Sequence, residues 1–292
     1  LLIVCSHSHS NFKKRIKYRV IMPELPEVEV CRQGISPHIL KKTVTQVIVR
    51  NAKLRWPIPD SVQSMIGHSV HTVERRSKYL LIKFSHGTLV LHLGMSGTIR
   101  VINDNIPVAK HDHFDLVFAH GKALRLNDPR RFGAVLWFKD DIDERGLLSK
   151  LGPEPLSEHF SYGYLFNKAK NRKVPIKTFL MSNPVVVGVG NIYANEALFK
   201  AGILPTALAC SISEARFDQL TDIIKTVLIA AIAQGGTTLK DFTQADGRPG
   251  YFAQELLVYG RAGKKCKTCQ TILEEVRQSN RSSVFCPSCQ TE

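Results

Sequence analysis

Short runs of alternating apolar and polar residues fill the first half of the chain. Between residues 43 and 138 these runs are separated by residues that favour turns. Such spacing is typical of an antiparallel sandwich or barrel. One helix is predicted before the runs, at residues 27–40, with an interruption at Ser36 and Pro37. The predicted strands lie at residues 43–50, 69–74, 79–84, 88–93, 97–102, 114–119, 122–126 and 133–138.

The hydrophobic period becomes helical in the second half. The segment GPEP at residues 152–155 follows an acidic stretch and marks a boundary between the halves. Beyond it a helix is predicted at residues 191–200. Ser211 and Glu214 form a capping-box pattern that opens another helix, which ends at residues 235–236. We therefore expect a small helical domain here.

Length, composition and charge narrow the class of protein. With 292 residues the chain can form two domains, each with its own core. The longest convincing apolar run, residues 227–233, is too short to span a membrane, so no membrane partner is expected. The net charge of +15 and the pI near 9.6 favour a polyanionic partner such as nucleic acid.

Four of the seven cysteines form two Cys-x-x-Cys pairs, Cys266 with Cys269 and Cys286 with Cys289. The sixteen residues between the pairs suffice for a two-stranded hairpin that brings both pairs to one tetrahedral ion. One structural zinc ion (Zn²⁺) is therefore predicted. Two disulfides or an iron–sulfur centre are the alternatives.

Residues 1–21 contain five basic residues and no acidic residue. Their apolar stretch, residues 1–5, precedes the charges, which is the wrong order for a secretory signal. An organellar presequence is one alternative. We expect instead that this segment is upstream sequence outside the working protein and that translation starts at Met22.

Pro23 follows Met22, and methionine is readily removed before a small residue such as proline. The mature chain would then begin with a secondary amine, and a terminal amine titrates near pH 8, well below the roughly 10.4 of lysine. With an aldehyde this amine forms an iminium that has no N–H to lose and acts as an electron sink. Glu24 beside it could supply or accept a proton. The alternative is an ordinary helix start, since proline suits the first turn.

The order of several motifs resembles the bacterial formamidopyrimidine-DNA glycosylase family, and the resemblance covers residues 22–292. It begins with PELPE at residues 23–27 and includes the β-rich half, the helical half and the terminal cysteine pairs. The other motifs that carry it are RRSKYL at 75–80, HLGMSG at 92–97, KHDH at 110–113, DPRRFG at 128–133, VGVGNIYA at 187–194 and GGTTL at 235–239.

This resemblance implies an α+β multidomain fold. Residues 22–150 would form an N-terminal catalytic domain, an antiparallel β-sandwich with a flanking helix. Residues 151–256 would form a helical helix-two-turns-helix domain with a lesion loop at 243–252, and residues 257–292 a four-cysteine zinc finger hairpin. The implied function is base-excision repair by a cytoplasmic monomer that removes oxidised purines from damaged double-stranded DNA and then cuts the strand.

The resemblance also assigns four catalytic residues. Pro23 would attack C1′ of the damaged nucleoside, displace the base and hold the opened sugar as an iminium, while Glu24 donates a proton. Lys78 would assist the β-elimination that follows. Arg281 lies between the two cysteine pairs, where we expect the tip of the hairpin, and would serve the second, δ, elimination.

Six more residues are expected to contact DNA by this resemblance: Met95, His111, Arg130, Phe132, Asn171 and Asn191. Met95, Arg130 and Phe132 would fill the space left by the flipped base, and Arg130 could pair with the orphaned cytosine. For Met95 and Phe132 the alternative is core packing. Asn191 opens a helix whose backbone N–H groups are expected to bind a phosphate. Asn171 stands where close relatives often carry lysine.

Three other functions remain open. The first is an endonuclease VIII-like glycosylase for oxidised pyrimidines, against which Leu25 argues, because those relatives usually carry glycine there. The second is a non-catalytic zinc-ribbon protein that binds damaged DNA, which is what the chain becomes if residues 1–21 are retained. The third, a proline-amine enzyme acting on small keto acids, explains neither the zinc motif nor the charge.

Overall fold

The computed structural model describes residues 23–139, 142, 146–235 and 256–292. The predicted extension at 1–21 and the predicted lesion loop at 243–252 lie outside these ranges. The first element is helix α1, Leu25–Ile39. It starts two residues before its predicted position and is not interrupted at Pro37. That prediction was wrong: Pro37 lies in the last turn and removes at most one backbone hydrogen bond, and the N–H of Leu40 still donates to the carbonyl of Ser36 at 3.0 Å.

Eight strands follow in two antiparallel four-stranded sheets, so the predicted β-rich half is confirmed. One sheet has the order β1-β6-β7-β5 and the other β2-β3-β4-β8. Each predicted strand is present with its ends displaced by at most a few residues. The strands are β1 Val44–Val49, β2 Thr72–Arg76, β3 Tyr79–Phe84, β4 Gly87–His92, β5 Thr98–Asn103, β6 Asp112–Phe118, β7 Lys122–Asn127 and β8 Ala134–Phe138.

The two sheets pack face to face around one apolar core, which makes the sandwich form of the prediction the correct one. Leu80, Leu91, Phe114 and Leu124 belong to this core, together with Ile35 from α1. A 3₁₀ helix, Asp60–Met65, packs beside strands β1 and β8. Each strand alternates its side chains between the two faces of its sheet, and the inward-facing side chains form this core. The turns at the strand ends are therefore available for other contacts.

The second half is helical, with α2 Tyr162–Ala169, α3 Ile176–Leu180, α4 Asn191–Lys200 and α5 Glu214–Gly235. Helix α4 has the predicted bounds. Helix α5 is capped by Ser213, whose Oγ accepts the N–H of Arg216 at 3.4 Å. The predicted cap, Ser211, belongs instead to a 3₁₀ turn, and its hydroxyl donates to the carbonyl of Leu208. Ser213 stands directly before the first helical residue, which is where a cap must be.

The last element is a β-hairpin formed by β9, Glu274–Gln278, and β10, Arg281–Phe285. Ser279 and Asn280 make the two-residue turn, and both have positive φ, as tight hairpin turns require. Leu273 and Val284 of the hairpin pack with Phe199 of α4 in a small apolar cluster. The predicted α+β organisation with a terminal cysteine hairpin is therefore confirmed.

Candidate active site and DNA-binding surface

The Glu24 side chain lies at the start of helix α4. Its carboxylate accepts N–H groups from Gly190 at 2.9 Å, Ile192 at 2.9 Å and Tyr193 at 3.4 Å. The expectation that these N–H groups bind a phosphate is therefore wrong, because a carboxyl group of the protein itself already accepts them. They stabilise the carboxylate through direct hydrogen bonds and through the positive end of the helix dipole.

The two glycines of the VGVG segment provide the space for this contact. A Cβ atom on Gly190 would lie 2.2 Å from the Glu24 carboxyl carbon, and one on Gly188 would lie 2.5 Å from a methyl group of Leu25. Gly188 also has a φ of +78°, a conformation that L side chains rarely adopt. Both positions therefore require glycine if α1 is to approach α4 this closely.

Glu24 and Glu27 form a pair of buried carboxyl groups. Glu27 accepts the backbone N–H of Glu24 at 2.8 Å and the hydroxyl of Tyr193 at 2.5 Å. Burial raises the pKa of Glu24; the charge of Lys78 opposes this rise and Glu27 adds to it. Burial also raises the pKa of Glu27. A carboxyl group with a raised pKa is suited to donating a proton near neutral pH.

Lys78 lies in the two-residue turn between β2 and β3, close enough for its charge to act on both Glu24 and His92. The preceding residue, Ser77, has a φ of +57°. Its N–H donates to Glu154 at 2.6 Å, and the same carboxylate binds Arg75 at 2.7 Å and Arg76 at 3.0 Å. Glu154 thus fixes the turn that carries Lys78.

Three turns at one end of the sandwich carry Met95, His111, Arg130 and Phe132. Phe132 is 45% exposed, and the Arg130 guanidinium lies 4.9 Å from the centre of its ring. Core packing is therefore not the role of Phe132. Met95 and His111 are less exposed and are half-buried. An exposed aromatic ring beside a planar cation is the kind of surface that can replace a stacked base.

Asp128 joins these three turns. Its buried carboxylate accepts the hydroxyl of Ser96 at 2.8 Å and the N–H of Gly133 at 2.7 Å. Its backbone N–H donates to the carbonyl of His111 at 2.9 Å, and its carbonyl lies 2.9 Å from Nε2 of His113. Asp128 was not among the predicted site residues, although it begins the DPRRFG motif. The signal that could have found it was a single acid beside a proline in an otherwise basic segment.

His92 was also missed. Its Nδ1 accepts the N–H of Gly94 at 3.0 Å, which requires the unprotonated nitrogen. Burial lowers the pKa of His92 to about 4, and the charges of Arg55 and Lys78 add to this effect. The imidazole therefore stays neutral at physiological pH and holds the turn that leads to Met95.

The four cysteines of the hairpin converge. All four Sγ atoms lie within 4.8 Å of one another, with 3.4 Å between Cys269 and Cys286 and 4.0 Å between Cys266 and Cys289. Thiolates bound at about 2.3 Å to one tetrahedral zinc ion lie about 3.8 Å apart, whereas a disulfide needs about 2.05 Å. The set therefore fits one zinc ion and not two disulfides. Four thiolate ligands leave no open position, so the ion is structural.

The remaining predicted residues differ in their exposure to solvent. Arg281 is exposed and begins β10, next to the hairpin turn, as expected. Asn171 is exposed in the turn after α2. Asn191 is buried, and its Oδ1 has no hydrogen-bond partner among the described residues. Such an atom needs a partner that the protein does not supply.

All three parts of the chain match domains of known proteins. Residues 22–135 match the formamidopyrimidine-DNA glycosylase N-terminal domain, residues 151–243 match its H2TH domain, and residues 263–291 match the zinc finger found in FPG and IleRS. Formamidopyrimidine-DNA glycosylase of Colwellia psychrerythraea is 76% identical over 271 residues, which are 93% of this chain and 100% of the relative. The chain belongs to the formamidopyrimidine-DNA glycosylase family.

Solved structures agree with this assignment to the formamidopyrimidine-DNA glycosylases. The MutM (Fpg) protein of Thermus thermophilus has a TM-score of 0.79 and 38% identity, with 92% of this chain and 98% of that chain covered. The Lactococcus lactis Fpg in complex with DNA containing an abasic site has a TM-score of 0.83 and 30% identity, with coverage of 92% and 100%.

Family membership supports the zinc assignment independently of the thiol geometry, because residues 263–291 match a zinc finger of this family.

Glu154, the acidic residue of the GPEP segment, also has a structural role. Residues 152–155 were predicted only to mark a domain boundary, but Glu154 binds the turn that contains Lys78. No helix among the described residues is long and apolar enough to cross a membrane.

Proposed function

We propose that this chain is a base-excision repair DNA glycosylase with lyase activity, which removes oxidised purines by attack of the Pro23 amine. The single observation that carries the proposal is the placement of the Pro23–Glu24 start beside Lys78 and against α4, within a chain of this family. The amine is free only if residues 1–22 are absent, so the mature enzyme begins at Pro23.

The chemistry assigns one step to each residue. The Pro23 nitrogen forms a bond to C1′ and gives up its proton while the bond from C1′ to the base breaks, and the base leaves with that electron pair and, in net, that proton. The nitrogen lone pair then expels the ring oxygen, which takes a proton from Glu24, and an iminium remains. The iminium acidifies the hydrogen on C2′; water takes that proton, a C2′–C3′ double bond forms, and the C3′–O bond breaks with its electron pair leaving on the phosphate. Lys78 assists this β-elimination.

The six predicted DNA-contacting residues and Arg281 bind the DNA in this proposal. Met95, Arg130 and Phe132 enter the stack where the base has left it, and Arg130 pairs with the orphaned cytosine. His111 and Asn171 bind the backbone, as does Asn191, whose unpartnered Oδ1 marks the position of an amide that a flip would turn into a donor. Arg281 binds the phosphate that leaves in the δ-elimination.

The three proposed domains comprise residues 22–150, 151–256 and 257–292. We expect the enzyme to work as a cytoplasmic monomer bound to the nucleoid. Without residues 1–22, which carry five basic and no acidic residues, its formal net charge is +10, and this charge keeps it attracted to DNA of any sequence, while lesion selection takes place in the active site.

Borohydride trapping tests the catalytic proposal. With a duplex that contains 8-oxoguanine opposite cytosine, reduction should freeze a covalent adduct between the DNA and a protein whose intact mass shows a start at Pro23. A Pro23→Gly variant should trap poorly or not at all. Efficient trapping by a chain that still begins at Leu1 would show that another amine carries the reaction.

Substrate class is tested by competition. Duplexes with 8-oxoguanine opposite cytosine and with thymine glycol opposite adenine are offered together in equal amounts. We expect preferential excision of 8-oxoguanine. A strong preference for thymine glycol would favour the endonuclease VIII-like alternative. The competition is needed because a Lactococcus lactis Fpg has been solved with DNA that contains an oxidised pyrimidine.

A further inference from the structure

Lys177 on helix α3 is a buried lysine that the proposed chemistry does not use. It is 1% exposed, and its Nζ donates to the carbonyl oxygen of Ser282 at 2.6 Å and to Oγ of Ser283 at 2.7 Å. Burying an ammonium group is costly unless its N–H groups are paired. Both acceptors belong to β10, the strand that begins with Arg281.

Asn195 on helix α4 holds the same strand from another element. It is 1% exposed; its Oδ1 accepts the N–H of Val284 at 2.9 Å, and its Nδ2 lies 3.5 Å from the carbonyl of Ser282. The same Nδ2 donates to the carbonyl of Asn191 at 2.6 Å. The Ser282 carbonyl, directly after Arg281, is therefore held by side chains from two helices.

Helix α4 also holds Glu24. The N–H of Ile192 binds Glu24, and Asn195 lies three residues further along, or about 4.5 Å along the helix axis. One rigid helix thus fixes both the carboxyl group beside Pro23 and the strand that carries Arg281. The distance between the two ends of the proposed active site is set by α4 and not by the hairpin alone.

Lys177 interacts electrostatically with both of these ends. Burial lowers the pKa of Lys177 to about 8; the Arg281 charge lowers it further, while Glu24 and Glu275 act in the opposite direction. Lys177 is therefore within electrostatic reach of both the hairpin arginine and the Glu24 site. It remains mostly protonated at neutral pH, which it must be to serve two acceptors.

We infer that Lys177 and Asn195 are positioning residues that hold the Arg281 guanidinium at the phosphate that departs in the δ-elimination. In that step C4′ gives up a proton to water, a C4′–C5′ double bond forms, and the C5′–O bond breaks with its electron pair leaving on the phosphate. Neither residue touches a reacting atom. The inference rests on the proposed function, because it needs Arg281 to act in this step.

The inference predicts that the second elimination is more sensitive to these residues than the first. Pro23 is carried by α1, and the turn of Lys78 is held by Glu154, so neither depends on β10. A guanidinium displaced by an ångström or so loses much of its effect on a leaving phosphate. Base excision and β-elimination should therefore continue when β10 is loosened.

The test compares Lys177→Met and Asn195→Asp with the unmodified enzyme on a duplex containing one abasic site. Lys177→Met keeps the length of the side chain and loses both hydrogen bonds; Asn195→Asp keeps the acceptor for Val284 and loses the donors. A denaturing gel separates the β-product, with an unsaturated aldehyde at its 3′ end, from the δ-product, with a 3′ phosphate. We expect the δ-to-β ratio to fall about tenfold, with the borohydride trapping yield within about twofold of the unmodified enzyme.

Arg216→Met is the matched control. Arg216 lies at the far end of the zinc finger, where it donates to the carbonyl of Gly202 at 2.9 Å and to that of Thr291 at 3.3 Å. Its loss should loosen only the contact of α5 with Thr291 and Gly202, which does not involve β10, and should leave the product ratio unchanged. Zinc content and melting temperature are measured for each variant. If one of the two variants, Lys177→Met or Asn195→Asp, has an unfolded finger, the product ratio of the other variant tests the inference.

Arg281→Ala separates the two possible failures. If it leaves the product ratio unchanged, the proposed role of Arg281 is wrong and the inference falls with it. If it lowers the ratio while Lys177→Met and Asn195→Asp leave it unchanged, only the inference is overturned. An equal loss of trapping and of the δ-product in both variants would also overturn it, because that outcome indicates general structural support.

Discussion

The carboxyl group of Glu24 lies so close to the α-carbon of Gly190 that a methyl group there would come within 2.2 Å of the carboxyl carbon. The same glycine donates its N–H to that carboxylate at 2.9 Å. The contact joins the first helix of the β-rich half to the central helix of the helical half. The chemistry proposed for the start of the chain therefore depends on a residue more than 160 positions away.

Gly190→Ala tests this dependence. The added methyl group must displace Glu24, so we expect the rate of base excision to fall about a hundredfold, while the affinity for DNA changes little. Single-turnover excision of 8-oxoguanine and a binding titration measure the two effects. Gly163→Ala is the matched control, since a Cβ there meets no atom within 4 Å and helix α2 should gain up to about 1 kcal/mol. Normal excision by Gly190→Ala would contradict the role assigned to this contact.

Phe132→Ala distinguishes a wedge from a core residue. Because Phe132 is 45% exposed, we expect the free energy of unfolding to change by less than about 0.5 kcal/mol. Excision should nevertheless slow by about tenfold or more, since a stacked base contact contributes about 1–3 kcal/mol. Phe114→Ala is the comparison: this ring is 1% exposed, and its loss should cost about 3–5 kcal/mol. A stability loss of similar size for Phe132→Ala would overturn the wedge assignment.

His92 should make the β-rich half less stable in mild acid. Its pKa is about 4 in the folded protein against 6.5 for an ordinary histidine. Between these values the unfolded chain binds a proton that the folded chain does not, so stability falls as the pH drops through this window. From pH 7 to pH 5 the loss is at most about 2 kcal/mol.

His92→Asn should remove most of that loss, since asparagine can accept the Gly94 N–H but does not titrate. Urea unfolding at pH 7 and pH 5 measures it, followed by the fluorescence of Trp56 and Trp137, the chain's only two tryptophans, both in the β-rich half. An unchanged difference between the two pH values would show that other groups cause the acid sensitivity.

Removal of zinc should disturb the structure of the hairpin and leave the sandwich unaffected. The four thiolates belong to the hairpin and its flanks, whereas the main core lies between the two sheets. Chelation should therefore weaken DNA binding by about tenfold, because the Arg281 contact is lost, and leave the tryptophan fluorescence and its unfolding transition unchanged. Full affinity after verified loss of zinc would count against a role for the hairpin in binding.

Local patterns were sufficient for most of the elements. Strand positions follow from alternation, because a strand places every second side chain in the core, and the metal site follows from the spacing of four cysteines. Prediction errors occurred where one local sequence pattern was compatible with two structures. Ser211 and Ser213 both precede the same helix, and only the start of hydrogen bonding at Glu214 selects Ser213.

The sequence by itself determined the family, the order of the domains, the zinc ligands and the identity of the residues proposed for catalysis, because each of these is carried by a contiguous motif. Only the tertiary structure decided what those motifs contact. The N–H groups of α4, expected to bind a phosphate, bind Glu24, and the GPEP segment holds the turn of Lys78. Lys177, in no motif, fixes the strand of Arg281. Such partners lie far apart in the chain, and a contact between them depends on how the halves pack, which no local pattern encodes.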